Sequence, residues 1–230
     1  MAYVNLPPSI SQPTGILRLQ FDPGSKLVVF GDSITGQGWA SSAGCLQSML
    51  NAALTPGTFT LVESGVSGNT SADGLARITD VTGLSGVTHV IVEFGVNDIV
   101  QFAGAGLSNF ISNMTTIFAD IKAMYSPPTL APVKVAACSV CSVQEFYPDS
   151  VYGQIIDSYN IALWALCDAK GVAFIDWRTP LQQFEATRNY PGSVNPAQLT
   201  TDGIHPTLVG KQRMSTAAMK AFMVPVNGGI

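Results

Sequence analysis

The sequence predicts an α/β fold: a central parallel sheet of about five strands with helices on both faces. Two observations predict it. Short apolar runs rich in β-branched residues alternate with segments of helical periodicity from residue 26 to residue 222. Each of the five runs is followed by a helical segment, which is the order that places neighbouring strands parallel.

Residues 1–24 are rich in proline and polar residues and read as an N-terminal arm with one short strand at 16–21; the domain proper spans 25–230. The run 26–30 ends at Gly31 and suits a buried strand. Residues 39–54 read as a helix stopped by Thr55-Pro56-Gly57, and 59–63 as the second strand. A short helix is expected at 70–78 and a strand at 88–94, where valine and isoleucine recur. The clearest helix is 107–124, with Leu107, Phe110, Ile111, Met114, Ile117, Phe118, Ile121 and Met124 three and four apart. Pro127-Pro128 ends it. A strand at 133–140, a helix at 150–169 stopped by Gly171, and a strand at 172–175 follow. The last helix starts near Pro206 and runs to about residue 222.

Composition removes several function classes. With 47% hydrophobic and only 11% charged residues, the 230-residue chain is not a disordered one. Its eleven Lys and Arg are scattered with no two adjacent, so nucleic acid is not the expected partner. Mean hydropathy is +0.29. Yet no run reaches the roughly 18 apolar residues of a membrane span. Residues 1–8 carry neither the basic nor the apolar region of a signal peptide. A cytoplasmic protein, a secreted one already processed, and a virion part released by lysis all fit. Cys45, Cys138, Cys141 and Cys167 are expected to be buried free thiols. Cys138 and Cys141 form a Cys-x-x-Cys match, but no second ligand pair completes a zinc site.

In parallel sheets, chemistry gathers on loops at the carboxyl ends of the strands. The first strand ends in Gly31-Asp32-Ser33-Ile34-Thr35-Gly36, a tight turn that exposes a hydroxyl beside unpaired helix-start amides. The absence of lysine there excludes a phosphate-binding loop. The second strand ends in Ser64-Gly65-Val66-Ser67-Gly68-Asn69-Thr70 and the third in Gly95-Val96-Asn97-Asp98. Before the final helix stands Asp202-Gly203-Ile204-His205-Pro206. Aspartate and histidine three apart on one turn can form a base with its orienting carboxylate. Together these segments supply nucleophile, base, orienter and oxyanion donors at one sheet edge.

These four blocks resemble, in order and spacing, those of the SGNH (GDSL-type) hydrolase family over about residues 26–222. The resemblance implies a flavodoxin-like three-layer α/β/α sandwich and ester hydrolysis without metal or other cofactor. It implies Ser33 as nucleophile, His205 as base and Asp202 as its partner. The amides of Ser33 and Gly68 and the side chain of Asn97 would form the oxyanion hole. One departure is that many members carry Asn where Glu63 or Ser64 stands. The chain lacks Gly-x-Ser-x-Gly, which disfavours the other large serine-hydrolase fold.

The remaining candidates have bland roles. His89 reads as a strand residue, Asp32 as a cap, and Glu93 and Asp98 as ties on the Asn97 loop. Trp39, Tyr147 and Trp177 are candidate substrate-binding residues, because aromatic faces near the strand ends suit sugar rings and acyl chains. The expected partner is a small ester or an acetylated carbohydrate, cleaved by a short-acyl esterase. A lysophospholipid esterase or thioesterase, and a non-catalytic carbohydrate-binding module on the same fold, remain alternatives. Oligomeric state is not written in the sequence.

Overall fold

The computed structural model describes residue 21 and residues 24–53, 59–126, 131–141, 149–182, 199–202 and 204–222. Of the expected arm at 1–24 only residues 21 and 24 are described, so its strand at 16–21 lies outside the described residues apart from Phe21, as do Tyr147 and Gly203. The five expected strands are present as β1 Lys26–Gly31, β2 Thr60–Gly65, β3 His89–Glu93, β4 Lys134–Cys138 and β5 Ala173–Ile175. They pair in the order β2-β1-β3-β4-β5, all parallel. The order reverses at β1, and such a switch point opens a crevice at the carboxyl edge.

Register places the chemistry. Gly31, the last residue of β1, pairs with Gly65 of β2 on one side and Glu93 of β3 on the other. The turns that leave these three strands therefore start at one level. Every residue of β3 is buried, which is why residues 90–92, between His89 and Glu93, are all apolar. His89 occupies that strand as expected, with its ring stacked 4.0 Å from Phe21.

Helices cover both faces. On one, α3 Ser71–Ala76, α6 Leu107–Lys122 and α7 Asp149–Lys170 pack side by side. On the other, α2 Leu46–Ala53 and α8 Arg178–Gln182 pack against α9 Leu208–Phe222. The predicted periodicity of α6 corresponds to its buried face: Phe110, Met114, Ile117, Phe118 and Ile121. The four cysteines are buried and free. No described helix is long and apolar enough to cross a membrane.

Two local expectations are corrected and one element is added. The helix expected from residue 39 begins only at Leu46. Residues 39–45 form turns because Gly44 takes φ +71°, which an α-helix does not accommodate, and the Gln47 amide donates to the Ala40 carbonyl (2.8 Å), seven positions back; the Glu63 carboxylate holds the turn by accepting the amides of Ala40 (2.9 Å) and Ser41 (3.1 Å). A short helix α5, Val96–Phe102, follows β3 where only a turn was expected; seven residues are too few to show a helical period. A two-stranded antiparallel ribbon, Tyr125–Ser126 with Ala131–Pro132, follows α6.

Ile117 is completely buried in the core. Its truncation removes packing that the sheet and α6 cannot close over, so Ile117→Ala should lower stability by about 2–5 kcal/mol with an unchanged urea m-value. A urea titration followed by circular dichroism measures this.

Candidate active site

β1 delivers its last residue into a turn built around Asp32. Asp32 caps the short helix α1, Ser33–Gly36: its Oδ1 accepts the Ile34 amide at 2.9 Å. Its carbonyl accepts the Thr35 hydroxyl and the Gly36 amide, each at 3.0 Å. Ser33 thus stands at the first helical position. There its amide has no intrahelical acceptor. Gly65 lets β2 approach this turn. A Cβ on it would lie 2.1 Å from the Gly36 nitrogen and 2.6 Å from the Asp32 carbonyl oxygen.

The segment before α9 brings the histidine to the serine. A bridge between Thr200 and Pro206 and the Thr201 N–H to His205 carbonyl bond (2.8 Å) close a small loop. Within it, Asp202 Oδ1 accepts the amides of Ile204 (3.0 Å) and His205 (2.7 Å). Asp202 Oδ2 holds the His205 Nδ1, and His205 Nε2 lies 2.9 Å from Ser33 Oγ. With Nδ1–H directed at the carboxylate, Nε2 is left as the acceptor for the serine proton. Burial alone would raise the Asp202 carboxyl. The His205 ring and the two amides outweigh it and hold the group below the usual carboxylate range. The carboxylate is therefore ionised beside the imidazole at neutral pH.

The expected oxyanion donors other than Ser33 lie in the segments that follow β2 and β3. Gly68 adopts φ +80° with open space where a side chain would stand. Neither its amide nor that of Ser33 donates to an acceptor among the described residues. Asn97 follows Gly95 at the start of α5. Its Nδ2 donates to Asp32 Oδ2 (3.1 Å) and to the Asn69 carbonyl (3.0 Å). Both amide hydrogens are engaged, so Asn97 reaches an oxyanion only by sharing one of them.

Three buried carboxyls lie beneath these turns. Asp98 accepts the Ser71 amide (2.9 Å) and hydroxyl (2.6 Å), tying α5 to the Gly68 turn, and Asn113 donates to the same hydroxyl at 3.0 Å. Burial raises the Asp98 carboxyl, and the Ser71 bonds oppose it. Burial also pushes Asp32 up, to about 6, against the Ile34 amide. Glu93 is raised well above its ordinary value, first by burial and then by the Asp32 charge. Its Oε1 meets no donor among the described residues. The protonated form of Glu93, hydrogen-bonded to Asp32, is the favoured one.

Two expected substrate residues are placed elsewhere. Trp39 and Trp177 are fully buried and pack edge to face, with ring centroids 4.7 Å apart. These two large apolar surfaces join the core instead of walling a cleft, because the turns at 39–45 fold Trp39 inward. Tyr147 lies outside the described residues. Sequence reading missed Arg77, which donates to Asn69, Ser64 and Gly31, and the bracing role of Glu63. A lone arginine at a helix end carries no periodic or motif signal.

Residues 29–213 match the model of the GDSL-like lipase/acylhydrolase family. A search of curated protein sequences finds no significant match. Among solved structures, an acetylxylan esterase of Geobacillus stearothermophilus is similar at 20% identity. That alignment has a TM-score of 0.68 and covers 90% of this chain and 97% of that one. An α/β hydrolase from the metagenome of Lake Arreo, Spain, is similar at 23% identity and a TM-score of 0.62, covering 89% of this chain and 97% of that one.

The buried acid pair has a consequence for stability. A carboxyl whose folded pKa is raised ionises first in the unfolded chain, so the folded state binds more protons and stability falls as pH rises. Glu93→Gln keeps the hydrogen bond and removes the titration. The variant should therefore gain stability relative to wild type as pH rises from about 4 to 7, as urea midpoints across that range would show.

Proposed function

The chain belongs to the GDSL-like lipase/acylhydrolase family, and on that premise we propose that it is a serine ester hydrolase working through an acyl-enzyme. The observation that carries this reading is the continuous chain from Ser33 Oγ through the His205 ring to the Asp202 carboxylate. In the first half-reaction Ser33 Oγ bonds to the ester carbonyl carbon while His205 Nε2 takes the hydroxyl proton. The carbonyl oxygen becomes an oxyanion facing the Ser33 and Gly68 amides and Asn97. When the tetrahedral intermediate collapses, the bond to the alcohol oxygen breaks, and the imidazolium returns the proton to that oxygen. Water, deprotonated by the same nitrogen, then attacks the acyl carbon; the bond to Ser33 Oγ breaks, Oγ takes the proton back from His205, and the acid leaves. Asp202 keeps the ring oriented and stabilises its positive form.

The substrate we propose is a short acyl ester, foremost an acetyl group on a carbohydrate. The fold likeness to an acetylxylan esterase supports this. Variants of that esterase with a serine, an aspartate or a histidine replaced by alanine are described as catalytic mutants, the aspartate three positions before the histidine. Asp202 and His205 have the same spacing.

The test is hydrolysis of p-nitrophenyl esters from acetate to decanoate. Wild type should cleave acetate best and Ser33→Ala none; cleavage that survives in Ser33→Ala refutes the mechanism. Asn97→Ala should lower turnover by roughly a hundred- to thousandfold while the fold is retained. The rate should rise from acid toward neutral pH, because His205 must be neutral to accept a proton and Asp202 ionised to hold it. The Asp202 contribution is lost only as pH falls through its lowered pKa. A rate flat from pH 4 to 8 would remove His205 from this role.

A further inference from the structure

We propose that Arg77 is a positioning residue for the oxyanion hole, locking its donors into one frame through Gly31 and Asn69. This deepens the hydrolase reading and rests on it. Arg77 stands just past the last turn of α3, with its side chain only 16% exposed. Its NH2 donates to the Gly31 carbonyl at 2.6 Å, the peptide that leads directly into Asp32 and Ser33. Its Nε donates to Asn69 Oδ1, also at 2.6 Å, the residue that follows Gly68. The Asn69 carbonyl in turn accepts the Asn97 Nδ2 at 3.0 Å. One rigid, planar group thus references the Ser33 amide, the Gly68 amide and the Asn97 side chain to each other.

The rest of its surroundings hold the guanidinium still. NH1 donates to Ser64 Oγ (3.2 Å) and the Ser64 carbonyl (3.3 Å). The cation lies 4.5 Å from the centroid of the buried Phe30 ring, whose face attracts it. Its ion pair with Asp80 is different in kind. Asp80 is 49% exposed, and such pairs contribute little. A purely structural or charge-balancing arginine would not need its two shortest bonds to run to the nucleophile turn and the Gly68 turn. Displacing donors by about 1 Å is enough to cost on the order of a hundredfold in rate.

Arg77→Lys keeps the charge and loses the fork. Arg77→Lys, Asn69→Ala, the double variant and Asp80→Ala would be compared with wild type. The first readout is p-nitrophenyl acetate hydrolysis. The second is covalent labelling of Ser33 by an alkyl fluorophosphonate, followed by mass spectrometry, which requires no turnover. Arg77→Lys and Asn69→Ala should each lower kcat and the labelling rate by about ten- to a hundredfold, with KM within about threefold of wild type. The double variant should be no worse than the poorer single one, because both act through one chain of bonds. Asp80→Ala should match wild type. Unchanged kcat in Arg77→Lys, losses that multiply in the double variant, or an equal loss in Asp80→Ala would each overturn the proposal. Should Arg77→Lys not fold, Asn69→Ala decides alone, and wild-type kcat in it is the refuting result. A wild-type protein that neither turns over nor labels at Ser33 overturns the hydrolase reading, and this proposal with it. Activity in wild type with no effect at Arg77 overturns only the positioning role.

Discussion

The structure depends on a parallel sheet that is covered on both faces. Its central strands β1 and β3 are buried almost throughout, so they consist largely of valine, isoleucine and leucine. Polar side chains can gather only where the strands end. At the carboxyl edge of β1, β2 and β3 that means three turns starting from Gly31, Gly65 and just past Glu93. Most donors and acceptors in those turns are satisfied by one another within a few ångströms, and the amides of Ser33 and Gly68 are left over among the described residues.

The same mutual pairing extends to the unusual charge beneath the site. Asp32, Glu93 and Asp98 are all buried, at a cost that shows in their raised carboxyls. Amides and hydroxyls of the turns offset part of that cost: Ile34 for Asp32 and Ser71 for Asp98. The Ser71 bonds join the Gly68 segment to the Asn97 segment, and the Asn97 amide on Asp32 Oδ2 joins the latter to the Ser33 turn. The carboxyls are thus ties within and between turns, whereas Asp202, its side chain 35% exposed and bonded to His205, is held ionised. Two environments a few residues apart in kind set two roles for the same functional group.

Much of this was readable from residue order. The strand–helix alternation, the α6 core face from Phe110 to Ile121, and the standing of Ser33, Gly68 and Asn97 in the segments just after β1, β2 and β3 follow from patterns that are local in sequence. The misreadings were also physical. Residues 39–45 read as the first turns of a helix, but Gly44 adopts φ +71° and the Glu63 carboxylate, more than twenty residues on, holds the Ala40 and Ser41 amides in a turn. Trp39 and Trp177 looked like cleft residues by position; their mutual burial depends on how two distant turns fold inward. Arg77 was invisible because its partners, Gly31, Ser64 and Asn69, come from three separate segments.

By itself, then, the sequence determined the fold class, the order of elements and the chemical types present at the sheet edge, because periodicity and turn chemistry act over a few residues. Only the tertiary structure decided which groups meet. It set the 2.9 Å approach of His205 to Ser33 across 172 positions, the sharing of Asn97 between Asp32 and Asn69, and the Arg77 brace. Hydrogen bonds are short and directional, and their partners are selected by packing between elements, which no local pattern encodes.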